Sequence, residues 1–139
     1  VDGAQDGMDG TLICFDKKEK SITYSAAYNT PILISNGTLQ QLPADKMPIG
    51  RGVKENDFSL HHITYSSGDM LYLFTDGYAD QFGGPQGKKF KYKQLHELLL
   101  TIHALPAAEQ KTILESAMEQ WKGNLEQVDD ICVIGIRIS

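Results

Sequence analysis

The sequence predicts an α+β fold, an antiparallel β-sandwich flanked by helices, and three observations support this class. Short apolar runs separated by turn signals fill the first half of the chain, so strands dominate. Two helical periods precede the last strand. Two strands, MLYLF and ICVIGI, are apolar on both faces, and we expect each to be covered on both sides. A sheet-on-sheet core with flanking helices is the simplest architecture for this pattern.

The first half of the chain is predicted to contain four strands. A charged turn at residues 17–20 separates the first two strands. Asn36-Gly37 separates the next two, and both residues tolerate the positive φ angles of a tight type I′ hairpin turn. The four strands are residues 11–16, 21–28, 32–35 and 38–42.

The second half is predicted to contain a further strand pair, two helices and a closing strand. Residues 57–65 and 70–75 form the pair, joined by a turn. Apolar residues then recur at three- and four-residue spacing from residue 92 to 102, and again after Pro106. Gly123 is expected to stop the second helix. Residues 131–138 are β-branched and apolar, which indicates a buried strand.

Composition excludes several classes of protein. At 139 residues the chain fits one domain, and its net charge of -5 lacks the basic character of a nucleic-acid binder. There is no apolar run of about 18 residues and no signal-peptide pattern. Cys14 and Cys132 lie in apolar runs, so we expect small buried thiols in a reducing compartment. These features predict a cytoplasmic protein, or the cytoplasmic part of a membrane-bound sensor protein.

Acidic residues stand at the ends of two buried strands. Asp76 follows the strand MLYLFT, and Asp129-Asp130 precede ICVIGIRI. If the two strands are antiparallel neighbours, these acids lie at one end of the sheet. Carboxylates brought together in this way suit a hard cation such as Mg²⁺ or Mn²⁺. The alternative stays open at this point, because Asp-Gly after a strand and Asp-Asp before one are also ordinary turn residues.

Three segments carry a resemblance to a known family. GDMLYLFTDGYAD is similar to the strand and Thr-Asp-Gly motif of PPM-type metal-dependent protein phosphatases. VDDICVIGIRI resembles their closing strand, and SAAYNTPILI followed by MPIG is similar to their middle hairpin and loop. More narrowly, the chain resembles the bacterial serine phosphatases typified by stage II sporulation protein E. Cys132 is a departure, because the closing motif usually has Thr there.

The resemblance implies a two-metal phosphatase site. In this family two Mn²⁺ or Mg²⁺ ions activate a bridging water, which attacks a phosphoserine or phosphothreonine without a covalent enzyme intermediate. By motif position, Asp76 and Asp129 are the implied metal ligands and catalytic residues. Asp130 is expected to orient its neighbour, and Gly77 to allow a tight backbone turn beside the site. For Asp80, an outer-sphere role and a plain turn acid both stay open.

The matched region covers residues 1–139 as the C-terminal portion of a single phosphatase domain, truncated at its N-terminus. The family's first acidic motif, which supplies the carboxylate that bridges the two metals, belongs to an earlier strand. Asp2, Asp6 and Asp9 lie in a Gly-rich lead-in and are not expected to replace it. The chain also lacks an initiator Met, as if cut from a larger protein. We therefore expect this polypeptide alone to be inactive or nearly so.

The expected partners follow from the resemblance and from the charge pattern. The substrate is expected to be a phosphorylated protein, such as an anti-sigma-factor antagonist, and an upstream sensor domain is expected in the full protein. Lys88 and Lys89 belong to a basic patch that could contact this substrate, although most such runs are merely solvated. No nucleic-acid partner is expected. Exposed strand edges could support self-association.

Two other functions stay open from sequence. The first is a degenerate phosphatase fold that binds a phosphoprotein or a partner protein without hydrolysing it. The second is a structural β-sandwich in which the acids are turn residues.

Overall fold

The computed structural model describes residues 7–50 and 56–139, and it confirms an α+β fold with antiparallel sheets and helices. None of the helices in these residues is long and apolar enough to cross a membrane. In chain order the elements are β1 (Gly7–Met8), β2 (Gly10–Asp16), β3 (Ser21–Ala27), β4 (Ile32–Ser35), β5 (Thr38–Gln41), β6 (Ile49–Gly50), β7 (His61–Thr64), β8 (Met70–Phe74), α1 (Gly77–Asp80), β9 (Phe82–Gly83), β10 (Lys88–Lys89), α2 (Tyr92–Ile102), α3 (Ala107–Lys122) and β11 (Val133–Arg137).

Two antiparallel sheets form the sandwich. One has the strand order β2-β3-β7, and the other has the order β11-β8-β4-β5. Alternate residues of β3 and β4 point into the space between the sheets, where Ile22, Tyr24 and Leu33 are buried with Leu71 of β8. The predicted β4–β5 hairpin is confirmed, and Asn36 and Gly37 at its turn have φ angles of 51° and 73°.

The two longer helices cover the outer face of the four-stranded sheet. Leu95 and Leu99 of α2 and Leu114 of α3 pack against Tyr72 and Phe74 of β8. Both predicted helices are therefore confirmed, and Gly123, with a φ angle of 54°, ends the second. The molecule has three layers, a helical layer and two sheets, and the four-stranded sheet lies in the middle.

Three predictions about the strands are wrong. Residues 57–60 are not in a strand, and β7 and β8 belong to different sheets, so the turn between them links the two layers. The closing strand β11 lies at the edge of its sheet and is largely exposed; Ile134 keeps 49% of its surface. The strand β8, by contrast, is covered on both faces as expected.

The prediction that both cysteines are buried is also wrong. Cys14 and Cys132 are free thiols with exposed side chains. Cys14 lies on β2, at the edge of the three-stranded sheet, and points away from the interior. The apolar neighbours of a residue in a strand do not determine which face of the sheet that residue occupies.

Candidate functional site

The two acid-bearing strands meet the condition under which their acids share one end of a sheet. The strands β8 and β11 are antiparallel neighbours, with Phe74 opposite Val133. The Thr75 N–H donates to the Cys132 carbonyl oxygen at 3.0 Å, one step beyond the last strand pair. Asp76 and the Asp129-Asp130 pair therefore lie at the same end of this sheet.

Thr75 links the end of β8 to the start of β11 through hydrogen bonds. Its hydroxyl donates to the Asp130 carbonyl oxygen at 2.9 Å and accepts the Cys132 N–H at 3.0 Å. With its own backbone N–H, Thr75 makes three hydrogen bonds to the opposite chain. These contacts fix the backbone of residues 130–132 against the backbone that carries Asp76.

Gly77 allows the two segments to approach closely. A Cβ atom at this position would lie 2.2 Å from the Asp130 carbonyl oxygen, far inside van der Waals contact. Gly77 is buried and begins the short helix α1. The glycine of the Thr-Asp-Gly sequence is thus explained by packing against the loop that holds the second acidic pair.

The Asp76 carboxylate is held from the helical layer. The Tyr92 hydroxyl, at the first position of α2, donates a hydrogen bond to Asp76 Oδ1. The Tyr92 ring lies 5.9 Å from the ring of Phe74, centroid to centroid. Burial and the hydrogen bond to Asp76 raise the pKa of Tyr92 above its usual range, so the phenol stays protonated and its hydroxyl donates the hydrogen bond.

The Asp129 carboxylate is engaged within its own loop. Its Oδ1 accepts the Asp130 N–H at 2.8 Å, and the Asp129 carbonyl oxygen accepts from Gln127 Nε2 at 2.9 Å. Asp129 and Asp130 are both exposed. The loop is tied to the rest of the site by Gln81, a fully buried residue whose amide donates to the Glu126 carbonyl oxygen at 2.8 Å.

The remaining predicted residues surround the hairpin that follows α1. Asp80 ends α1, and its carboxylate lies 3.5 Å from Lys89 Nζ. Lys89 also lies over the ring of Phe82, 5.8 Å from its centroid. Lys88 is exposed on the same hairpin. Asp80 and Lys89 thus form a surface ion pair, a type of contact that contributes little to stability.

A cavity of about 890 Å³ opens beside Asp76. Asp9, Tyr92 and His96 line it, while Asp129 and Asp130 do not. Desolvation and the nearby negative charge of Asp76 raise the pKa of Asp9, and burial lowers the pKa of His96. Asp9, which the sequence analysis set aside, is therefore a neighbour of Asp76, whereas Asp2 and Asp6 lie outside the described residues.

The donor chemistry fits a hard divalent cation only in part. Asp76 and Asp129 offer carboxylate oxygens, which Mg²⁺ and Mn²⁺ prefer. Within residues 7–50 and 56–139, however, no group of three His, Cys, Asp or Glu residues is arranged to hold a metal ion. These residues supply part of a metal site, and a complete site needs further ligands.

Sequence reasoning missed three residues that build this site. Thr75, Tyr92 and Asp9 contact or approach the acidic residues, yet none was assigned a role. Thr75 was detectable, because it precedes the Asp-Gly turn directly. Tyr92 lies 16 positions from Asp76, and no local pattern in the sequence indicates their contact.

Comparison with known structures places this fold among bacterial phosphatases. The SiaA-PP2C domain of Pseudomonas aeruginosa matches with a TM-score of 0.86 and 26% identity, over 94% of this chain and 52% of that one. The Mn-presoaked phosphatase domain of SpoIIE from Bacillus subtilis matches with a TM-score of 0.63 and 17% identity, over 94% and 56%. The serine/threonine phosphatase PstP/Ppp of Mycobacterium tuberculosis gives 0.62 and 18%, over 95% and 60%.

The chain therefore spans between 52% and 60% of the length of these three solved chains. A search among curated proteins finds no match. The family model for stage II sporulation protein E matches residues 4–139, nearly the whole sequence. The chain belongs to the stage II sporulation protein E (SpoIIE) family.

Proposed function

We propose that residues 1–139 form the C-terminal portion of a single PPM-type serine/threonine phosphatase domain of a bacterial signalling protein that acts in the cytoplasm. The proposed reaction is hydrolysis of phosphoserine or phosphothreonine in a protein substrate. One observation carries this proposal: Thr75 and Gly77 lock two acid-bearing strand ends together in a chain of the SpoIIE family. A structural sandwich with solvated turn acids would not require so close an approach.

We propose that the complete domain uses Mn²⁺ or Mg²⁺, two ions in all, with Asp76 and Asp129 as ligands. The manganese soak of the SpoIIE phosphatase domain and the crystal structure of RsbX in complex with magnesium support this choice of metal. Asp130, whose N–H bonds the Asp129 carboxylate, orients that ligand. For Asp80, whose carboxylate pairs with Lys89 on the surface, we propose no role as a direct metal ligand.

We propose that this chain alone is inactive or nearly so. The described residues bring two acid-bearing strand ends together but provide no group of three metal-ligating side chains. Residues beyond these would have to supply the remaining ligands. In the proposal the site is completed by a further part of the same domain, which is consistent with the 52% coverage of the SiaA-PP2C domain.

We propose a phosphorylated protein as the substrate, such as an anti-sigma-factor antagonist, and a sensor domain upstream in the full protein. Lys88 is exposed on the hairpin that follows α1, and Lys93 lines the cavity next to Asp76, so cationic groups are available for a phosphorylated segment. Lys89 already pairs with Asp80 and would have to exchange partners. The free edge of β11, with its exposed Ile134, supports self-association as a further possibility.

One observation favours a second function. The described residues do not complete a metal site, and this favours the alternative of a non-catalytic module that binds a phosphoprotein. Such a module would need the fold and the basic residues but no hydrolytic water. Activity and binding measurements separate the two functions.

The test compares this chain with the full-length protein that its gene encodes. Each is assayed for release of phosphate from a phosphoserine protein, with Mn²⁺, with Mg²⁺ and with excess chelator. We expect metal-dependent activity in the longer polypeptide, and its loss in the variants Asp76→Asn and Asp129→Asn. Asp16→Asn, which changes an exposed acid at the end of β2, is the matched control and is expected to keep full activity. Substrate binding without phosphate release would favour the non-catalytic module.

A further inference from the structure

The hydrogen bond between Tyr92 and Asp76 joins the helical layer to the strand end at the proposed site. Among the described residues, Tyr92 is the one side chain that hydrogen-bonds the Asp76 carboxylate. The two residues are 16 positions apart and belong to different layers of the fold. The contact places the first residue of α2 at the tip of β8.

The position of the Tyr92 hydroxyl is set by the core of the protein. Downstream of Tyr92, α2 buries Leu95 and Leu99 against the four-stranded sheet. Upstream, the Lys91 N–H donates to the Ala79 carbonyl oxygen at 2.8 Å, which ties the start of α2 to α1. Lys91 has a φ angle of 75°, an uncommon conformation for a residue with a side chain. Contacts made by the residues before and after Tyr92 therefore fix the position of its hydroxyl.

The Tyr92 ring is fixed as well as its backbone. Its centroid lies 5.9 Å from that of Phe74, which is buried in β8, and 6.2 Å from that of His96 in the next turn of α2. Tyr92 is still 38% exposed, and it lines the cavity beside Asp76. An aromatic ring placed in this way limits the directions in which its hydroxyl can point.

A fixed donor at one carboxylate oxygen sets the orientation of the whole group. Because Oδ1 accepts from Tyr92, the Asp76 carboxylate cannot rotate freely, and its other oxygen faces a defined direction. Mutation of a group that holds a metal ligand in this way typically costs about 10–100-fold in metal affinity or activity.

We propose that Tyr92 is a positioning residue: its hydroxyl holds the Asp76 carboxylate in the orientation in which Asp76 binds the divalent cation. This inference rests on the proposed function, since it assigns Asp76 to the cation. It goes further by placing a residue of α2 in the support of the site. The plain alternative is that the hydrogen bond only anchors the start of α2.

The test measures Mn²⁺ affinity by calorimetry in the longest polypeptide that contains the sequence. Tyr92→Phe removes the hydroxyl and keeps the ring, and we expect it to weaken Mn²⁺ binding about ten-fold. Tyr24→Phe is the matched control, because Tyr24 donates to the Pro43 carbonyl oxygen at 2.9 Å in the core between the sheets. The control is expected to lower stability and leave Mn²⁺ affinity unchanged. Equal affinity in Tyr92→Phe and the unmodified protein would overturn the inference.

Asp76→Asn separates a failure of this inference from a failure of the proposed function. If Asp76→Asn leaves Mn²⁺ affinity unchanged, Asp76 is not a ligand and the proposed function fails. If it abolishes binding while Tyr92→Phe has no effect, only the role of Tyr92 fails.

A second measurement needs no metal. The thermal stability of Tyr92→Phe, Asp76→Asn and the double variant forms a cycle, and the two substitutions should be non-additive. Additive effects would show that the two groups do not interact and would contradict the proposal independently.

Discussion

Replacing Gly77 with alanine tests the close approach on which the site depends. The new Cβ would lie 2.2 Å from the Asp130 carbonyl oxygen, whereas real Cβ atoms essentially never come within 3.0 Å of such an atom. The obstacle is backbone on both sides, so no side chain can rotate away. The carbonyl group must retreat, and with it the loop that carries Asp129.

The size of the effect follows from three contributions. Forcing a methyl group into a packed region costs about 1–3 kcal/mol. The retreat of the carbonyl also weakens the 2.9 Å hydrogen bond from the Thr75 hydroxyl, at a cost of about 1 kcal/mol. Alanine is about 1 kcal/mol more favourable than glycine in a helix, and this gain offsets part of the cost. The net loss is about 2 kcal/mol, which corresponds to a fall in Tm of about 6–10 °C for a chain of this size.

Urea denaturation and thermal melts of Gly77→Ala measure this loss. Gly135→Ala is the matched control, since its Cβ would meet only side-chain atoms, the nearest being Tyr72 Cε1 at 3.1 Å. We expect the control to change stability by no more than about 0.5 kcal/mol. If Gly77→Ala is as stable as the control, the two segments do not pack as described, and the reasoning about the site fails with it.

Three further predictions concern other parts of the molecule. Burial lowers the pKa of His96 in the folded protein. Below the pKa of His in the unfolded chain, about 6.5, the unfolded chain therefore binds the proton more readily, and the folded protein loses stability as the pH falls. His96→Gln should flatten this fall in Tm between about pH 7.5 and 5. Both Cys14 and Cys132 should react with a thiol reagent in the native protein, without denaturant, and slow reaction would contradict their exposure. Gly83→Ala places a Cβ 1.8 Å from the Trp121 carbonyl oxygen, so it should destabilise the chain at least as much as Gly77→Ala in the same melts.

Local signals in the sequence were sufficient to predict much of the fold. The Asn36-Gly37 turn, the periodicity of α2 and the stop at Gly123 each depend on a few neighbouring residues, and each is confirmed. The shared position of Asp76 and Asp129 was expected on the condition that β8 and β11 are antiparallel neighbours, and the structure meets that condition.

The predictions that failed depended on contacts between distant parts of the chain. A turn after Tyr65 shows that the chain reverses, but it does not show that β7 and β8 enter different sheets. An apolar run such as ICVIGI does not reveal that β11 lies at an edge. The contact of Tyr92 with Asp76 arises from the packing of α2 on the sheet, for which the sequence carries no short-range signal.

The central claim is that Asp76 and Asp129 share a divalent cation, and anomalous diffraction tests it most directly. Crystals of the longest polypeptide that contains this sequence would be soaked in Mn²⁺, with data collected at the manganese absorption edge. We predict an anomalous peak at the shared end of β8 and β11, within coordination distance, about 2.0–2.2 Å, of carboxylate oxygens of Asp76 and Asp129. Soaked crystals that diffract well and show no peak there, or a peak bound only by other residues, would contradict the account.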